Sequence, residues 1–83
     1  MPKLEQKLIE LGYTKKFDYY YQRYDKLKYG FFIKIEIITI EGKKTLNPYI
    51  SNCYIGKQQD IDNLQQAFNE MQKDLEILKG CEE

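Results

Sequence analysis

From residue 61 onward, Ile61, Leu64, Phe68, Met71, Leu75 and Leu78 recur at spacings of three, four, three, four and three. An α-helix gathers such positions on one side, whereas a strand would scatter them over both faces. The spacing predicts a helix over about 58–79, stopped by Gly80 and roughly 30 Å long. A seam this regular needs cover along its length. A strict a/d pattern is also the coiled-coil signature, and would make the chain a dimer through this helix. The flanking Gln65, Ala67, Gln72 and Asp74 lack the opposed Glu/Lys pairs that set coiled-coil pairing. A small sheet, for its part, needs a helix against it, so the sequence favours a helix packed on its own chain.

The residues before it supply that sheet. Leu4, Leu8 and Leu11 form a short apolar stripe over 3–11, with Pro2 where a first helical turn tolerates it. Gly12 is a natural left-handed cap, and Tyr13 falls where a Schellman motif packs a side chain back onto the helix. Phe17 to Tyr24 alternates as a strand, with Phe17, Tyr19 and Tyr21 on one side and Asp18, Tyr20, Gln22 and Tyr24 on the other. A polar connection over 25–30 leads to the strongest strand, 31–40, in which Ile33, Ile35 and Ile37 alternate with Lys34 and Glu36. Glu41-Gly42-Lys43-Lys44 reads as a hairpin turn and 45–55 as a third strand. Pro48 cannot donate to a ladder, so that strand starts after it or lies at an edge. The expectation is one two-layer α+β domain over 1–83, of order α-β-β-β-α, with an antiparallel three-stranded sheet and both helices on one face.

At 83 residues a single core is just sufficient, which leaves little room for an active-site cleft. There is no histidine, the commonest acid, base and metal ligand at neutral pH. Cys53 and Ser51 therefore lack an activating base, Asp60 and Asp62 sit where carboxylates favour a helix start, and the glycines form no phosphate loop. These absences point to a non-enzymatic protein with no metal, cofactor or small-molecule substrate. No apolar run is long enough for a signal peptide or a bilayer span, so the expected location is the cytoplasm, without a membrane partner. Cys53 and Cys81 are expected to be free thiols, Cys53 buried and Cys81 reactive in a polar tail. Thirteen basic and 13 acidic residues cancel overall, yet residues 1–44 carry +4 and 45–83 carry −4. Such a dipolar molecule can pair with its own kind.

Six of the eight tyrosines lie between Tyr13 and Tyr29. Tyrosine joins a rigid apolar ring to a polar tip, and it is enriched where proteins meet. If Ile33, Ile35 and Ile37 face the helices, then Tyr20, Tyr24, Phe32, Lys34 and Ile38 point to the uncovered side of the sheet and form the candidate interface. The expected partner is a protein, either a second copy in a homodimer or a foreign target. Lys15, Lys16, Arg23, Lys26, Lys28 and Lys34 interleave with the aromatics, which supports an alternative: single-stranded nucleic acid stacked on a Tyr/Lys sheet surface. Overall neutrality, the acidic last helix and the lack of an RNP-type motif weigh against it.

Leu8-Ile9-Glu10-Leu11-Gly12-Tyr13, the tyrosine-rich stretch after it, and Asp60 to Phe68 together resemble small accessory proteins of bacteriophages and prophages. The resemblance is one of layout across the chain and carries no site residues. It implies a protein that docks on a host or phage macromolecule in the host cytoplasm. Several phage inhibitors of bacterial defence, anti-CRISPR proteins among them, are similarly small, cytoplasmic and non-enzymatic, although such inhibitors are often strongly acidic DNA mimics and this chain is neutral.

Overall fold

A computed structural model of the chain describes residues 3–17, 22–52 and 61–81. Two helices, α1 (Lys3–Glu10) and α2 (Ile61–Lys79), enclose in sequence four strands: β1 (Thr14–Phe17), β2 (Gln22–Lys28), β3 (Phe31–Ile40) and β4 (Lys43–Asn52). The strands form one antiparallel sheet in the order β1-β2-β3-β4. Leu4 and Leu8 of α1 and Met71 and Leu78 of α2 enter one core with Tyr13, Tyr24, Ile33, Ile35 and Ile37, so both helices cover the same face.

Four strands replace the three expected. The aromatic alternation of 17–24 reads locally as one strand, but Phe17 pairs with Gln22, so the chain reverses between them. Residues 25–28, expected as a polar connection, belong to β2 and pair with β3 from Asp25↔Lys34 to Lys28↔Phe31. So polar a strand persists because Asp25 lies opposite Lys34 in the register and Lys26 meets Glu70 and Asp74 of α2. The reversal also resets the inside–outside phase: even positions of β2 face the core, and Tyr24, expected on the open face, is 1% exposed beneath the helices.

The end of α1 is the predicted Schellman cap. Tyr13 N–H donates to the Leu8 carbonyl and Gly12 N–H to that of Ile9, each at 3.0 Å, with Gly12 at φ +97°. Two-residue turns join β2 to β3 through Tyr29 (φ 54°) and Gly30 (φ 80°), and β3 to β4 through Glu41 (φ 51°) and Gly42 (φ 79°). Positive φ at both central positions matches the right-handed twist of paired strands, but disfavours a side chain at the first of them. Asparagine tolerates that conformation, so Glu41→Asn should stabilise the fold by about 0.5–1 kcal/mol, read as a higher urea midpoint with unchanged slope. An unchanged or lower midpoint would show that the turn does not strain Glu41.

Pro48 lies within β4 opposite Ile35, and β4 is an edge strand. The pair that closes a two-residue hairpin is hydrogen-bonded, so alternation from Ile40↔Lys43 places Pro48 at a non-bonded pair. Its missing N–H faces the open edge, where no ladder bond is lost. The expected strand over 45–55 begins two residues earlier, and 53–55 lie outside the described residues, as do Cys53 and Tyr54.

Candidate protein-binding surfaces

The uncovered sheet face carries Arg23, Asp25 and Leu27 of β2, Phe32, Lys34, Glu36 and Ile38 of β3, and Thr45, Asn47, Tyr49 and Ser51 of β4. The register sets Arg23 against Glu36 and Asp25 against Lys34, so charges alternate in sign both along and across these strands. Arg23 Nε donates to Asp25 Oδ1 at 3.2 Å, and Asn47 Nδ2 to Glu36 Oε1 at 2.8 Å. Lys34 Nζ lies 5.9 Å from the Phe32 ring centre and 6.0 Å from that of Tyr49. Asp25 and Glu36 are only 8% and 7% exposed although no helix covers them, because neighbouring side chains enclose them. Partial burial pushes the Tyr49 phenol upward, and the Glu36 carboxylate adds to the shift.

Of the five residues expected at the interface, Phe32, Lys34 and Ile38 sit half-buried on this face. Tyr24 is on the opposite one, and Tyr20 lies outside the described residues. The face is a charge-compensated lattice with two aromatic rings. Two carboxylates stand among its cations, which gives a phosphate backbone little net field to follow.

Among the described residues, the densest group of ionisable side chains is on the other side, under the helices. Lys26 Nζ donates to the Leu11 carbonyl at 3.1 Å, to Glu70 Oε2 at 3.3 Å and to Asp74 Oδ2, and it lies 4.7 Å from the Tyr13 ring centre. Tyr13 Oη donates to the same Asp74 oxygen at 2.8 Å. Three ammonium protons thus find three acceptors, and the carboxylate of Asp74 accepts from two donors. Burial first, and Asp74 second, push the Tyr13 phenol far up; Tyr24 is raised by burial and by its bond to Glu5 Oε1 at 2.9 Å. Lys26 and Asp74 are 6% and 2% exposed, too enclosed for a substrate to reach. The cluster holds α2 to β2. In the sequence Lys26 reads as a loop lysine, and only the partner 48 residues downstream reveals otherwise.

That anchorage sets how α2 lies. Its buried stripe is Ala67, Met71, Asp74 and Leu78, which is turned around the helix axis from the apolar seam. Met71 and Leu78 remain inside and Leu75 is half-buried, while Ile61, Leu64 and Phe68 are 80%, 42% and 42% exposed. The seam expected to be core along its whole length is core only in its second half. A zipper along the whole seam would need Met71 and Leu78, which the domain already encloses. Beside the exposed row lie uncharged Gln65, Asn69 and Gln72, with Gln65 donating to Asn69 at 3.0 Å.

Among the described residues no three His, Cys, Asp or Glu side chains are grouped to hold a metal ion, and no helix is long and apolar enough to cross a membrane. Comparison with models of known protein families, with curated proteins and with solved structures finds no match to this chain.

Proposed function

We propose that this chain is a non-enzymatic protein-binding module that acts by surface occupation, with a second copy of itself as its first partner. The observation that carries this reading is the row Ile61, Leu64 and Phe68, three large apolar side chains in register on one exposed helix face. Single exposed apolar residues are ordinary; a contiguous row is a mark of an interaction surface. Leu64 and Phe68 are flanked by the uncharged amides Gln65, Asn69 and Gln72, so two copies related by a two-fold axis can bring these side chains together without like charges between them. The layout shared with phage accessory proteins extends the proposal to a host or phage protein, including a component of bacterial defence, as the target of the assembled module.

Leu64→Gln combined with Phe68→Gln should weaken self-association by roughly thirtyfold or more, as expected for central apolar anchors, while shifting the melting temperature by only a few degrees. Sedimentation and light scattering across a concentration series read the first quantity, and circular dichroism the second. A wild-type chain that stays monomeric up to about 1 mM yet binds single-stranded DNA with steep salt dependence would overturn the reading in favour of Phe32, Lys34 and Tyr49 as a nucleic-acid platform.

A further inference from the structure

Among the described residues no further strand pairs with the outer side of β1 or of β4. Such edges present backbone groups that a strand of another chain can add to. β1 is blunted by length and charge, being four residues long with Lys15 and Lys16 exposed on it. β4 runs for ten residues, and its lysines, Lys43 and Lys44, stand at its start, so that residues 45–52 carry no charge. Along that stretch the register with β3 turns the backbone groups of Leu46, Pro48 and Ile50 outward. Leu46 and Ile50 are half-buried against the core, and the proline lies midway between them.

We propose that Pro48 is a built-in block that keeps β4 from pairing with β4 of a second copy. Two antiparallel copies of this strand, related by a two-fold axis through residue 48, set Leu46 of each opposite Ile50 of the other, so the apolar side chains beneath α2 continue from one sheet into the next. The central pair is residue 48 facing itself, and in this register it is a hydrogen-bonded pair. Valine there would exchange both N–H···O bonds. Proline donates neither, leaves the facing carbonyls without a donor and sets ring against ring. Any register that engages both Leu46 and Ile50 includes Pro48 between them. Within its own sheet the same residue loses no bond, since Ile35↔Pro48 is a non-bonded pair, so the penalty falls only on pairing with another chain.

This edge is separate from the row on α2, and every chain compared carries Leu64→Gln and Phe68→Gln, so that the outcome is read at β4 alone. In that background Pro48→Val should strengthen self-association by about thirtyfold or more in sedimentation equilibrium. The associated form should exchange the amide hydrogens of Leu46 and Ile50 about tenfold more slowly than the proline chain does. A chemically synthesised chain with N-methylvaline at position 48 keeps the valine side chain but has no donor, and it should associate no more than the proline chain. Pro48→Thr takes the place of the valine variant if valine lowers the melting temperature by more than a few degrees. Valine and threonine chains that stay as monomeric as their parent up to about 1 mM would overturn the proposal. So would an N-methylvaline chain that associates as strongly as the valine one, or association that leaves exchange at Leu46 and Ile50 unchanged.

Discussion

Asp74→Ala should destabilise the domain by about 3 to 5 kcal/mol, a large part of the roughly 5–15 kcal/mol available to a protein of this kind. The substitution removes one charge and leaves Lys26 buried beside only Glu70, which is 3.3 Å away and a quarter exposed, and it strips Tyr13 of its acceptor. Glu70 is a partial replacement, so Asp74→Ala with Glu70→Gln should cost more than either change alone. Lys26→Met with Asp74→Leu should instead lie close to wild type, because a buried ion pair contributes little relative to well-packed apolar side chains of similar size. Urea unfolding of the single and double variants tests this as a thermodynamic cycle. If Asp74→Ala costs less than about 1 kcal/mol, water reaches Lys26 and the cluster is not the anchor of α2.

Tyr24→Ala should cost about 3 to 5 kcal/mol, as for other large aromatic truncations in cores, whereas Tyr24→Phe should cost only about 0.5–1.5 kcal/mol for the lost bond to Glu5. The contrast separates ring packing from the hydroxyl. It also separates two roles for this residue, since an aromatic on an exposed interface would leave thermal unfolding unmoved when truncated and would change association only. A Tyr24→Ala protein that melts like wild type would return Tyr24 to the open face and shift β2 by one residue.

Much of the fold was legible because its signals are local. β3 carries its alternation within ten residues, α1 ends at a glycine followed by a ring, and the seam of α2 repeats every third or fourth position. What escaped was set by distant partners. The second half of β2 holds Asp25, Lys26 and Lys28, a composition that reads as a polar connection until Lys34 and Asp74 are placed opposite Asp25 and Lys26. The candidate interface divides in the same way. Phe32, Lys34 and Ile38 follow from the phase of β3, while Tyr24 depended on the reversal between Phe17 and Gln22. Leu64 and Phe68 look like core because periodicity reveals that a helix has an apolar side, but not which way it turns when an aspartate is drawn inward by a buried lysine.

The Lys26–Asp74 contact also orders events in time. Synthesis runs from the N-terminus, and β2, β3 and β4 are joined by short local turns, so the hairpins can form as soon as they leave the ribosome. Until residue 74 emerges, however, the inner face of that nascent sheet presents a lysine with no carboxylate from α2 to neutralise it. An ammonium group is strongly hydrated until it is paired, and Lys26 lies on the face that the helices later cover. The helix that covers this face is also the element that brings the countercharge of Lys26.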